Sequence, residues 1–384
     1  MKNYNLPLLS LLNKFPAVAR QRNRNWLRTF SLLAMVGLFT TMSSCKDDDE
    51  LVSGITPKGQ KPAWGPTIKP EMQTVIEALD SLTKRVPLTS LTPQQARKAP
   101  TPADAVMAVM KNNNISMPAM MVDTMGYSIP VQGGTIHARS FRPKNTTGTL
   151  PGIVYYHGGG WVIATIDTYR SSAQALAEQT NAVVVSVEYR KGPEFKFPTA
   201  HDDAYAAYLW VRQNATMLNI NPAKIAVAGE SAGGGLAAAV CLMARDNKVT
   251  MPVHQLLVYP IANNDTNTES YIKYADAKPL SKSLMEWFFT NYLRTPADGE
   301  SPLISLVDQA TLTGLPPATI INAEIDPLQT EGQQLAKKLQ AANVSVTTKV
   351  YEGVTHEFFG MATVVPQAKE AQKMAADALK AAFK

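Results

Sequence analysis

The residues Gly229-Glu230-Ser231-Ala232-Gly233 set a serine between two glycines, with apolar residues before them and a run of small and apolar residues after. Ile225 to Ala228 reads as a strand and Leu236 to Arg245 as a helix, so Ser231 falls at a strand-to-helix turn. Flanking glycines permit a turn tight enough to expose the serine Oγ. The same turn puts the Ala232 N–H at a helix N-terminus, facing any negative charge that develops there. A serine hydroxyl is a poor nucleophile until a base takes its proton and hydrogen-bond donors stabilise the oxyanion. Nucleophilic attack by Ser231 therefore needs a base and donors from elsewhere in the chain.

Donors are available at His157-Gly158-Gly159-Gly160-Trp161, directly after the strand-like run GIVYYH. Consecutive glycines let backbone N–H groups approach a substrate oxygen with no side chain in the way. A phosphate-binding glycine loop is the rival reading, but neither Gly-Lys-Ser/Thr nor G-x-G-x-x-G spacing is present. Trp161 either lines the acyl or alcohol pocket or packs beside the loop.

The base follows by elimination among five histidines. His137 lies in an early strand, His157 in the glycine loop, His201 at the start of a helix, and His254 at the start of a strand, the wrong end of a parallel sheet. His356, in YEGVTHEFFG after the last predicted strand, sits where a loop at the carboxyl edge could reach Ser231. The acid that orients it should follow the penultimate strand PATIINAE, which points to Asp326, with Glu324 as the near competitor. Asp202 and Asp203 start a helix, where capping is the expected work. Arg190 and Glu194 read as structural, holding the loop after the fourth strand.

The elements that position these residues follow the same pattern. From Met125 onward, β-branched runs alternate with small-residue or amphipathic segments: GTIHARSF, GIVYYH, AVVVSVEY, KIAVAG, HQLLVYP, PATIINAE and SVTTKVY. This predicts an α/β architecture, a mostly parallel sheet with helices on both faces. Two helices are expected before it, Glu71 to Arg85 and Thr101 to Asn113, the second with Thr101 as cap and Pro102 in its first turn. The connection from Ile261 to Pro316 is too long for a simple turn and contains SKSLMEWFFTNYL at helical spacing. With the early helices it reads as a cap over one end of the sheet.

Here the resemblance becomes specific. HGGGW, GESAGG, DPL and GVTHEF, in that order, resemble the bacterial hormone-sensitive-lipase-like family of α/β-hydrolases. Tyr189 to Asp203 (YRKGPEFKFPTAHDD) is similar to the family's YRLAPE..FPAA..D segment, and Ser301 to Leu303 to its cap exit. The resemblance implies an α/β-hydrolase fold with a helical cap and carboxylic-ester hydrolysis, usually of short acyl chains, without a cofactor. Glu230 stands where the main subgroups have Asp or Thr, and Gln329-Thr330 replaces a common Arg-Asp; both departures bear on substrate preference, and Glu230 is read with Trp161 as a pocket residue.

Composition excludes the bland classes. A chain of 384 residues, 45% hydrophobic and 18% charged, is neither disordered nor a disulfide framework. Lys2, Lys14, Arg20, Arg22, Arg24 and Arg28, without an acid before residue 45, account for the whole formal charge of +6, so a nucleic-acid partner finds no support in the rest. Those cations, the apolar Phe30 to Phe39 and TTMSSC ending at Cys45 read as a lipoprotein-type signal peptide. Lys46-Asp47-Asp48-Asp49-Glu50 resembles an export tag for the bacterial surface. An ordinary cleaved signal, leaving a periplasmic protein, is the alternative. Cys241 then stands alone and is expected in the core. No CxxC or HExxH pattern marks a metal site.

The expected organisation is a signal peptide at 1–44, an acidic, Pro- and Gly-rich tether at 45–66, an N-terminal helical cap segment at 67–115, and a catalytic domain at 116–384 with a cap insertion at about 261–316. The expected chemistry is hydrolysis of a small-molecule ester by Ser231, His356 and Asp326, with the N–H groups of Gly158, Gly159 and Ala232 as the oxyanion hole. The expected membrane link is a lipid on Cys45. A carbohydrate acyl esterase, a lactonase or an amidase would use the same residues, and a non-catalytic receptor on this fold stays open. The oligomeric state is not encoded in these features, a dimer being one option.

Overall fold

A computed structural model describes residues 54–384, so the predicted signal peptide, Cys45 and the acidic residues after it lie outside the described residues. The N-terminal part gives α1 (Pro70–Leu82), the short α2 (Pro93–Ala96) and α3 (Pro102–Asn112). Thr101 caps α3: its side chain accepts from the Asp104 N–H while the Asp104 carboxylate reaches back to the Thr101 N–H. The apolar stripes of these helices, Met72, Val75, Ile76 and Leu79 on α1 and Ala105, Val106, Val109 and Met110 on α3, are buried.

Then follow β1 (Val122–Val131), β2 (Gly134–Pro143), β3 (Leu150–Tyr156), α4 (Arg170–Thr180), β4 (Val183–Glu188), α5 (Thr199–Gln213), β5 (Ile220–Glu230) and α6 (Ala232–Asp246). The chain continues through β6 (Gln255–Val258), α7 (Glu269–Lys273), α8 (Lys282–Tyr292), β7 (Ala318–Ile325), α9 (Gln329–Ala341), β8 (Val346–Thr355) and α10 (Pro366–Ala382). One eight-stranded sheet has the order β1-β2-β4-β3-β5-β6-β7-β8, antiparallel at β1/β2 and β2/β4 and parallel from β4 to β8. Alternate residues of the central strands enter opposite cores. Val154 and Tyr156 of β3 and Val227 of β5 join one, with Leu236 of α6 and Leu335 of α9. Ile153 and Tyr155 of β3 and Ala228 of β5 join the other, with Leu176 of α4 and Leu379 of α10. Burial on both faces explains why these strands read as continuous apolar runs rather than alternating ones.

Two boundaries and one cap differ from the sequence reading. β1 begins at Val122, ahead of the expected change at Met125, because this edge strand pairs only with β2 and exposes most of its length, so it lacks a buried pattern. α6 begins at Ala232 rather than Leu236, since packing of Gly233, Gly234 and Gly235 against neighbouring backbone overrides their poor helix propensity. Asp203 caps nothing. The first turn of α5 has no side-chain cap, and the buried Asp203 carboxylate instead accepts from the Arg190 N–H at 3.0 Å, its Nε at 2.9 Å and its Nη2 at 2.6 Å. Arg190 thereby ties the loop after β4 to α5.

Removing one partner of a buried ion pair strands the other. Arg190→Ala should lower the unfolding free energy by about 3 kcal/mol or more because it strands the fully buried Asp203 carboxylate, whereas Asp203→Ala should cost less because the Arg190 side chain left behind is partly solvated. Urea titration of the two variants checks the order, and equal costs would refute it.

Candidate active site

Ser231 sits between β5 and α6 with φ 56° and ψ −120°, a conformation that costs a non-glycine residue on the order of 1–3 kcal/mol. Four backbone hydrogen bonds hold it. Its N–H donates to the Val258 carbonyl at 2.9 Å, and its own carbonyl accepts from the N–H groups of Gly234, Gly235 and Ile261. The turn is possible because the neighbouring backbone comes so near: a Cβ on Gly233 would collide with the carbonyl oxygens of Tyr156 and His157.

Asp326 follows β7 and His356 follows β8, both at the carboxyl edge of the parallel strands where Ser231 also lies. His356 Nε2 is 2.9 Å from Ser231 Oγ, and His356 Nδ1 is 2.7 Å from Asp326 Oδ2. Asp326 Oδ1 accepts the Leu328 N–H at 2.9 Å, which fixes the carboxylate plane. The competitor Glu324 faces elsewhere, accepting from Thr67 Oγ1 at 2.8 Å and the Gly353 N–H at 2.7 Å. All three members of the Ser231-His356-Asp326 line are buried.

The other histidines occupy different environments. Burial lowers His157 to about 4, His201 to about 3 and His254 to about 4, so these imidazoles are neutral across the ordinary pH range. His157 stacks on Tyr189 at 4.3 Å between ring centres, His201 Nδ1 lies 2.8 Å from the Tyr292 hydroxyl, and His254 Nε2 lies 3.0 Å from Thr319 Oγ1. For His356, burial also opposes the charge, but the Asp326 carboxylate and its hydrogen bond, with smaller help from Glu357 and Glu230, raise it above the ordinary imidazole value.

Gly158 lies beside the turn that carries Ser231, for a Cβ on it would approach the Glu230 carbonyl to 3.1 Å, and Gly159 follows it in the loop. Their N–H groups donate no hydrogen bond among the described residues, and the Ala232 N–H opens α6, where no intrahelical acceptor exists. These three backbone donors are thus uncommitted among the described residues. The loop turns through φ 96° at Gly159, 57° at Gly160 and 59° at Trp161, and Gly160 lies so near Phe288 of α8 that a Cβ would enter its ring.

Of the two readings of Trp161 the packed one fits the structure, and Glu230, read as a pocket residue, is 1% exposed. Trp161 lines no open pocket: it is fully buried, with its ring stacked 4.9 Å from Tyr292 of α8, because the left-handed backbone turns the indole into the aromatic cluster. Glu230 is buried as well. Its carboxylate lies in the core beneath the sheet's edge, accepting from the hydroxyls of Tyr155 and Tyr259, the latter at 2.5 Å. Burial, with the charge of Glu357, pushes Glu230 up to about 7. Sequence reasoning missed Glu357, a partly buried carboxylate that accepts from the Tyr169 hydroxyl at 2.5 Å. Its position next to His356 was the available signal.

A family profile described as alpha/beta hydrolase fold matches residues 153–360. The ethyl acetate hydrolase of Pseudomonas putida is 31% identical over 79% of this chain and 95% of its own length. The carboxylesterase NlhH of Mycobacterium tuberculosis is 39% identical over 65% of this chain and 79% of its own length. Among solved structures, a Pyrobaculum calidifontis esterase superposes with a TM-score of 0.71 at 36% identity, covering 77% of this chain and 95% of that one. Fold, motif order and relatives agree, and the chain belongs to the α/β-hydrolase family, among its hormone-sensitive-lipase-like carboxylic ester hydrolases.

Proposed function

We propose that this carboxylesterase acts on esters of short acyl chains through Ser231, His356 and Asp326, and the observation that carries the proposal is the continuous hydrogen-bond line of 2.9 Å and 2.7 Å through His356. Ser231 Oγ attacks the ester carbonyl as its proton passes to His356 Nε2, and the carbonyl π pair moves onto oxygen. The N–H groups of Gly158, Gly159 and Ala232 receive that oxyanion, one such donor being worth roughly 10²–10³ in rate. Asp326 keeps the Nδ1 proton in place and offsets the imidazolium charge. His356 then protonates the leaving alcohol as the tetrahedral intermediate collapses, and water, deprotonated by the same nitrogen, hydrolyses the acyl-enzyme.

Short acyl chains suit the enclosure of Ser231, which is only 4% exposed, and the small ester named for the Pseudomonas putida relative. In this reading 67–115 and the insertion at about 261–316 form the cap, and 116–384 is the catalytic domain. The basic and apolar N-terminus before Cys45 acts as a lipoprotein signal peptide, and 45–66 tethers the enzyme to the bacterial outer membrane.

Four outcomes test this reading. On a nitrophenyl ester series from acetyl to palmitoyl, turnover should peak at short chains, and Ser231→Ala should lower kcat by at least about 10⁴; a folded variant that matches wild type would sink the assignment. Because His356 must be neutral to accept the proton, kcat/KM should fall as pH drops through its raised value, with a midpoint above about 6.5. Glu357→Gln removes a negative charge that favours the imidazolium, so it should move that midpoint to lower pH, and an upward or absent movement would contradict the electrostatics. In a Gram-negative host, Cys45→Ala should shift the protein from the membrane to the soluble fraction and abolish metabolic labelling by fatty acid, whereas unchanged partitioning would exclude the anchor.

A further inference from the structure

Arg97 is the residue immediately after α2, in the N-terminal segment, yet its guanidinium spends its donors on the far side of the site. Its Nε donates to the Val162 carbonyl at 2.8 Å, and its Nη2 donates to the Gly192 carbonyl at 2.5 Å and to Glu194 Oε2 at 2.6 Å. Its Nη1 donates to Glu194 Oε1 at 3.0 Å, so Glu194 accepts both branches of the fork. Glu194 also accepts from Gln94 Nε2 at 2.9 Å, which fixes the carboxylate from α2 itself. The Arg97 side chain is 25% exposed, so these bonds are partly shielded from water.

The two carbonyls belong to the glycine loop and to its support. Val162 closes the turn that starts at Gly159: the N–H groups of Val162 and Ile163 both donate to the Gly159 carbonyl, at 3.0 Å and 2.9 Å. The Gly192 N–H donates to the Trp161 carbonyl at 2.9 Å. Arg97 thus bridges two strands of backbone that already grip the loop on either side of Trp161. A loop with positive φ at three successive residues, one of them a tryptophan, is not a conformation the chain adopts unaided. α8 presses on the same loop from the other side through Phe288 and Tyr292 but offers it only ring contacts.

We propose that Arg97 is a positioning residue that holds the oxyanion loop in register, so that the N–H groups of Gly158 and Gly159 meet the developing oxyanion; the inference rests on the ester-hydrolase reading of those donors. A loop displaced by about 1 Å loses transition-state hydrogen bonds while ground-state binding changes little, and such misplacement costs on the order of 10² in rate. Arginine suits the task because its rigid fork spans two carbonyls and a carboxylate together, which a single ammonium does not.

The test compares Arg97→Ala, Arg97→Lys and Lys278→Met with wild type in the full chain, using nitrophenyl acetate and rates normalised to active sites titrated with a phosphonate. Lys278 bonds Asp80 of α1 at 2.6 Å and 2.7 Å and so ties the same N-terminal segment to the β6–β7 connection without touching the loop. The expected result is a kcat about tenfold to a hundredfold lower in both Arg97 variants with KM within about twofold, kcat unchanged in Lys278→Met, and partial recovery of Arg97→Ala by millimolar free guanidinium. Arg97→Lys keeps the stem and a cation, so it serves where the alanine variant does not fold. An unchanged normalised kcat in folded Arg97 variants overturns the inference, as does an equal loss in Lys278→Met, which would make the effect one of general anchoring. An inert wild type would overturn the ester-hydrolase reading and this inference together, whereas active wild type with unaffected Arg97 variants overturns this one alone.

Discussion

The site depends on the backbone at Ser231, where φ 56° and ψ −120° point the side chain out of the β5–α6 turn. A side chain other than glycine resists this conformation, so the surrounding structure must hold it there. It does so from three directions, through the Val258 carbonyl below, the first turn of α6 behind, and the Ile261 N–H beside it. Each restraint belongs to a different element, and each requires close backbone approach. A Cβ on Gly229 would meet the Gly233 carbonyl, and one on Gly235 would meet the Ile261 carbonyl oxygen at 2.5 Å. The glycines of the motif are therefore a packing requirement of the turn as much as a source of flexibility.

Parallel topology does the rest of the assembly. β3, β5, β7 and β8 run the same way in one sheet, so the glycine loop, Ser231, Asp326 and His356 all emerge along a single edge even though they are far apart in sequence. The distances within the triad follow from strand spacing plus one short loop each. Finer placement comes from side-chain hydrogen bonds such as the Leu328 N–H to Asp326 and from the pressure of α8 on the glycine loop.

Much of this was legible in the sequence because the residues involved have few substitutes. Ser231, Asp326 and His356 could be picked out by their position after β-branched runs, and the structure brings those three together. What was not legible was the direction of side chains whose identity is compatible with two environments. Trp161 and Glu230 flank the reactive turns in sequence, and proximity along the chain suggested a pocket for Glu230 and left pocket or packing open for Trp161. The backbone at Trp161 is left-handed, and Glu230 ends a strand whose alternate residues face the opposite core, so both are buried. Arg97 and Glu357 were missed for a related reason: an arginine beside a four-residue helix and a carboxylate in a loop carry no periodic signal, and their roles exist only in tertiary contact.

Burial alone cannot distinguish the histidines, because His157, His201, His254 and His356 are all buried. It pushes each imidazole toward the neutral form, and for three of them nothing sufficient opposes it. His356 differs in having a carboxylate at hydrogen-bond distance with Glu357 and Glu230 behind it, so the positive form that burial would forbid is restored to reach. A base that shuttles a proton needs both forms to be accessible. That requirement accounts for placing several acids around one ring in a core where a single unpaired carboxylate would be costly, and the tyrosine hydroxyls of Tyr155, Tyr259 and Tyr169 satisfy the two acids that the triad itself does not use.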